Sequence, residues 1–153
     1  MKEGVSLMLL SLKQDDGVIG PGLRVMVKKA IDGCGFAAEA FHEGTNTDPG
    51  PDSEASFLEV FSRWREMTVI SDEEQEKWLN KIREWVALRV KDIMYANRRN
   101  YYGECAAFVA ALGEVMESRG KKGAKSALME EYRVEYNRRR AFHDELRNYG
   151  MRW

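Results

Sequence analysis

Apolar residues recur along this chain at spacings of three and four from near its beginning to near its end, the pattern of helices that bury one face. Val5, Met8, Leu9 and Leu12 mark a first helix over residues 4–14, thickened by Leu7 and Leu10. So short an apolar run also fits a strand. After the breakers Asp15-Asp16-Gly17 and Gly20-Pro21-Gly22, a second helix carries Leu23, Met26, Val27, Ala30 and Ile31. Pro21 suits its first turn and Gly33 its stop. Phe36, Ala37, Ala40 and Phe41 form a short helical stripe, and residues 43–53, which hold two of the three prolines, read as a loop.

The pattern then strengthens. Phe57, Phe61, Trp64 and Met67 predict a third helix, capped by Asp52 or Ser53. Ser71-Asp72-Glu73-Glu74 is a capping box with acids in the first turn. It opens the longest helix, about 25 residues by its spacing, with Leu79, Ile82, Val86, Val90 and Ile93 on one face. Asn97-Arg98-Arg99-Asn100 interrupts the pattern. Tyr101, Cys105, Phe108, Val109, Leu112, Val115 and Met116 give the next helix, stopped by Gly120. Ala124, Leu128, Tyr132 and Tyr136 give another; Phe142, Leu146 and Tyr149 give the last, stopped by Gly150.

These readings predict an all-α chain of about seven helices, an irregular bundle or an array of antiparallel helical hairpins, since short links make sequential helices antiparallel neighbours. A regular solenoid needs a fixed repeat period, and no period of 34 or 40 residues with a matching signature is present. We expect a single domain over residues 1–153, with the internal loop at 43–53 and a sub-division near 97–100.

Length and composition narrow the classes further. At 153 residues, 44% hydrophobic and 32% charged, the chain suits one folded domain and neither a disordered nor a collagen-like polymer. The longest apolar run near the N-terminus, Leu7-Met8-Leu9-Leu10, is too short for a membrane span and does not look like a secretory signal. Two cysteines, Cys34 and Cys105, are too few for a disulfide framework and read as buried thiols in a reducing compartment, which points to the cytoplasm. The net charge of −1 hides an asymmetry: residues 1–75 sum to −7 and residues 76–153 to +6. Opposite signs should draw the two halves together or offer a basic face to an acidic partner.

Candidate chemistry is sparse. Asn46, Asp48, Asp52 and Glu54 suggest a calcium loop, but an EF-hand needs Gly at its sixth position and Glu at its twelfth, and Pro49 and Pro51 interrupt the spacing. Glu39-x-x-His42 is half of a di-metal bundle motif, without a second copy. His42 and His143 are the only histidines, and neither has a nucleophile or second carboxylate at motif spacing. We therefore expect no catalytic residue, cofactor or metal. The stripes formed by Trp64, Met67, Trp78, Trp85, Met94, Met116 and Met129 read as core first and partner groove second.

The basic clusters are the most suggestive feature. Arg98-Arg99-Asn100-Tyr101-Tyr102 and Arg138-Arg139-Arg140-Ala141-Phe142 mix guanidinium groups with aromatic rings, as nucleic-acid surfaces do. They equally suit arginines that cap helix ends and lay their stems over rings. Arg98, Arg99, Tyr101, Tyr102, Arg138, Arg139, Arg140 and Phe142 are thus the candidate contact residues for a partner. That partner is a protein first, a nucleic acid second, and not a membrane.

The segments Asn100-Tyr101-Tyr102-Gly103-Glu104-Cys105-Ala106-Ala107, Ala110-Ala111-Leu112-Gly113-Glu114, Glu130-Glu131-Tyr132 and Arg138-Arg139-Arg140, followed by Phe142, resemble the helical C-terminal tail of bacterial SWIM zinc-finger proteins, over roughly the last third of the chain. The Cys-x-Cys and Cys-x-His zinc motif of that family is absent, so no zinc site follows. The resemblance implies a tail or spacer segment of a larger protein. Taken together, the residues point to a non-catalytic helical interaction or scaffold module. A nucleic-acid-associated module is the alternative, and a ligand-binding or enzymatic bundle centred on Glu39 and His42 a third.

Overall fold

One helix is buried along most of its circumference, and five others pack around it. The structure, a computed structural model, describes residues 2–14, 19–33 and 51–152. Among the described residues there are seven α-helices and no strand: α1 (Lys2–Leu12), α2 (Pro21–Gly33), α3 (Pro51–Met67), α4 (Asp72–Tyr95), α5 (Tyr102–Ser118), α6 (Ala124–Glu135) and α7 (Arg140–Asn148). A 3-10 turn, Arg99–Tyr101, joins α4 to α5. The strand alternative for the first segment falls to α1. The expected stripe at 36–41, residues 43–50 of the expected loop, and with them Cys34, Glu39 and His42, lie outside the described residues.

One boundary needs correction. The loop expected at 43–53 overlaps α3, which begins at Pro51. Neither Asp52 nor Ser53 can therefore be the residue that caps α3. Proline at the first helical position has its φ already set, and its missing N–H is one that the first turn could not use.

The helix ends follow local chemistry. Ser71 caps α4, its hydroxyl accepting from the Glu74 amide at 3.3 Å. Three C-termini close in the same way. After α5, the Lys121 N–H bonds Met116 O at 3.2 Å and Gly120 N–H bonds Glu117 O at 3.0 Å, with Gly120 at φ 94. After α7, Met151 N–H bonds Leu146 O and Gly150 N–H bonds Arg147 O, both at 3.1 Å. After α4, Arg98 N–H bonds Ile93 O at 3.1 Å and Asn97 N–H bonds Met94 O at 3.2 Å; the left-handed residue there is Asn97, at φ 53. Asparagine tolerates that conformation better than any other non-glycine residue with a full side chain.

Twelve of the 17 residues of α5 are buried, so it forms the centre of the core rather than one wall. α1, α2, α4, α6 and α7 all pack against it. Small residues permit close approach: a Cβ on Gly22 of α2 would overlap the backbone at Ala110 and Ala111, and one on Gly113 would meet Lys125 of α6. Pairings along the helices set their directions. Lys2 of α1 reaches Glu104, while the Gln14 amide just beyond α1 bonds the Ser118 hydroxyl at 3.3 Å, so α1 runs parallel to α5. α2 and α4 run antiparallel to it, as Gly22 against Ala111, Lys29 near Glu104, Gln75 near Arg119 and Arg89 near Glu104 require.

The two halves of the chain do pack together, through apolar contact of α1 and α2 with α5. Among the described residues, the ion pairs that cross between the halves do not follow the expected attraction of an acidic first half for a basic second half. Lys2 and Lys29, both from the first half, converge on Glu104 of the second, the reverse of the overall polarity.

Candidate functional site

The bundle has two chemically different ends. The first holds the start of α1 and α5, the end of α2, α4 and α6, and the turn at 97–101. Every sequence-predicted contact residue lies here. Arg139, from the start of α7, donates from Nη1 to Asn97 Oδ1 at 2.7 Å and from Nη2 to Met94 O at 2.9 Å. It thereby caps the last turn of α4 and ties the two arginine clusters, 42 residues apart in sequence, into one surface. Arg98, Arg99, Arg138 and Arg140 flank that tie and are exposed.

Two predicted contact residues do not reach the surface. Tyr102 is 2% exposed and Phe142 0%, their rings meeting edge to face at 5.9 Å. They belong to the core beneath the arginines, because both sit on the helix faces that pack α7 against α5. Tyr101 is half-buried, with Lys2 Nζ 5.4 Å and Arg89 Cζ 5.8 Å from its ring centre. His143 is held in place: its Nε2 donates to the Tyr136 carbonyl at 2.9 Å, closing the end of α6.

Beside Tyr101 lies a cluster that the sequence reading missed. Glu104, with its side chain 14% exposed, is approached by three cations. Lys2 Nζ is 3.1 Å from Oε1, Lys29 Nζ 3.7 Å from Oε1, and Arg89 Nη2 3.9 Å from Oε2. These residues stand on four different elements, so no spacing in the sequence signals them.

The second end holds the end of α1, the start of α2 and the α3–α4 connection. Here the aromatic and methionine stripe, expected as core first and partner groove second, divides between the two. Met94, Met116 and Met129 are buried, and Trp85 packs edge-on against Phe108 at 5.1 Å. Trp64, Met67 and Trp78, however, are 46%, 79% and 41% exposed. α3 rests chiefly on α2, and its flank bearing Val60, Trp64 and Met67 stays largely exposed. The apolar surface continues outward as a ladder of rings, Phe57 to Phe61 at 5.8 Å and Phe61 to Trp64 at 5.6 Å. Trp64, Thr68 and Val69 border a groove of about 400 Å³, whose other wall is Ser11, Gln14 and Gln75.

A further polar feature lies nearby. Glu114 of α5 accepts from the Gly22 amide at 3.2 Å and the Leu23 amide at 3.0 Å, capping α2 from another helix, with Lys125 Nζ 3.6 Å away. Desolvation holds its carboxyl above the usual range, against the pull of Lys125 and the two amides. Both oxygens are engaged in that cap. Burial pushes the Cys105 thiol up to about 12, which leaves it unreactive at neutral pH.

Among the described residues, no three His, Cys, Asp or Glu side chains converge to hold a metal ion, and no helix is long and apolar enough to cross a membrane. Comparison with protein-family models, curated proteins and solved structures returned no match, so the resemblance to SWIM-protein tails rests on the quoted residues alone.

Proposed function

We propose that the chain is a non-catalytic helical module that binds a protein partner through the outer flank of α3 and its connection to α4. The observation that carries this reading is the contiguous exposure of Val60, Trp64, Met67 and Val69, at 46%, 46%, 79% and 94%. Large apolar side chains grouped in this way beside a groove favour association, because covering them removes apolar surface from water. Glu59, Arg63 and Glu66 border the flank. The favoured partner is an amphipathic segment whose apolar face lies along α3 with polar groups at its rim. A cytoplasmic setting accords with an unpaired, buried Cys105. If the SWIM-tail resemblance holds, the module is the interaction segment of a larger protein.

The test is affinity capture with wild-type chain and with Trp64→Ala and Met67→Ser variants, each checked for unchanged thermal unfolding. A partner retained by wild type and lost from both variants supports the reading. Equal capture by all three overturns it. A second reading is favoured by the Arg139 tie, which gathers Arg98, Arg99, Arg138 and Arg140 at the opposite end: single-stranded nucleic acid bound electrostatically there. It requires affinity that falls steeply with salt and drops on Arg98→Ala/Arg138→Ala substitution.

A further inference from the structure

We propose that Lys2, Lys29, Arg89 and Tyr101 form a binding site for the terminal phosphate group of a small molecule. The reasoning starts from charge. Three cations meet one carboxylate, leaving an excess of two positive charges among the described residues of the cluster. A phosphate monoester carries about −1.5 to −2 at neutral pH, which matches that excess. A cluster held for structural reasons alone needs one cation for Glu104, and Lys2 already fills that role.

Hydrogen bonding leads to the same conclusion. Among the described residues, only Lys2 donates to Glu104, at 3.4 Å to Oε2. Lys29 and Arg89 stand 3.7 and 3.9 Å away, close enough for attraction and too far for a hydrogen bond. Arg89 Nε is buried without a hydrogen-bond partner, and so is Glu104 Oε1, which the Arg89 guanidinium does not reach. Buried donors of this kind are almost always satisfied, so a missing acceptor is the natural complement. The guanidinium fork of Arg89 suits two phosphate oxygens, and an ammonium group such as that of Lys29 serves as a point charge for a third.

The surroundings hold these groups in place. Tyr101 presents its ring to both Lys2 and Arg89, and Lys29 Nζ lies 6.0 Å from the Phe108 ring centre. With side chains 35%, 29% and 27% exposed, Lys2, Lys29 and Arg89 are recessed enough for their charges to be less screened than free surface lysines, yet open to a solute. Glu104 then acts as a counter-charge that keeps the cations together while the site is empty. This inference does not depend on the α3 surface, which lies at the other end of the bundle.

The test is a titration of the full chain at constant ionic strength with inorganic phosphate and with adenosine monophosphate, read by amide chemical shifts. Saturable shifts at Tyr101, Gly103 and Glu104 are expected. Arg89→Gln and Lys29→Gln should each weaken binding about tenfold, the scale of a hydrogen bond to a charged group. Glu104→Gln should tighten it severalfold by removing the competing charge. Should Arg89→Gln unfold, Lys2→Gln, in the first turn of α1, serves in its place. A response to phosphate no greater than to chloride overturns the proposal, as does saturable binding that Glu104→Gln weakens. Binding of a single-stranded oligonucleotide unaffected by these substitutions, with no saturable response to phosphate, also overturns it and moves the anion surface to the exposed arginines.

Discussion

α3 and α5 are both 17 residues long, and both carry an aromatic and methionine stripe. α5 is covered by five helices and buries twelve of its 17 residues, while α3 leans chiefly on α2 and leaves Trp64 and Met67 partly in solvent. The difference is in what surrounds them. α5 carries alanine and glycine on the sides where the helices come closest, so several backbones approach it at once. α3 carries Glu59, Arg63 and Glu66 on its far side, which no apolar neighbour can cover without desolvating charge. A stripe of large apolar residues marks a face that seeks a cover. Whether the cover comes from the same chain depends on the rest of the circumference.

The sharpest way to break the comparison is to truncate a ring on each helix. Phe108 is 0% exposed and meets Trp85 and Lys29. Phe108→Ala should destabilise the fold by about 3–5 kcal/mol, through lost burial and the cavity left behind. Trp64→Ala should cost about 1 kcal/mol or less, because nearly half of that side chain is already in water. Denaturant unfolding of both variants checks this; equal losses would mean that α3 is as much core as α5.

The close approach of α2 to α5 is the next point to test. Gly22→Ala places a methyl group against the Ala110–Ala111 backbone. Backbone cannot yield as a flexible side chain does, so the loss should be about 1–3 kcal/mol, read as a lowered unfolding midpoint. Gly4→Ala in α1, where nothing lies within 4 Å of the new carbon, should be neutral or slightly stabilising.

How much of this was legible in the sequence follows from range. Helices and their ends are local, and the spacing of Leu79 to Ile93, the cap at Ser71 and the stops at Gly120 and Gly150 were readable. The left-handed turn at Asn97 was readable only as a break, since asparagine signals it less strongly than glycine. What failed was long-range. Tyr102 and Phe142 looked like surface aromatics beside arginines, and only the packing of α7 on α5 buries them. Trp64 reads as core before groove, and only the way α3 leans on α2 leaves it 46% exposed beside the groove. The cluster around Glu104 draws on α1, α2, α4 and α5, and nothing in a single segment announces it.

The smallest effect concerns Glu114, a carboxylate that reaches from the central helix to cap α2. Its carboxyl is held above the ordinary value of 4.5 chiefly by desolvation, with Lys125, Leu23 and Gly22 pulling the other way. A carboxyl raised in the folded state favours folding most when it is protonated. Its contribution is therefore complete below the unfolded value and is lost as the pH rises through the folded one. Glu114→Gln keeps the shape, retains an acceptor for one amide and cannot ionise. It should thus lose less stability than wild type between pH 4 and pH 7, so that the gap between the two proteins moves in the variant's favour as pH rises. Unfolding curves at pH 4, 5, 6 and 7 read that gap directly. If wild type gains on the variant over the same interval, the bonds from Gly22, Leu23 and Lys125 outweigh the desolvation. The cap would then belong with the exposed polar contacts of the surface and not with the covered circumference of α5.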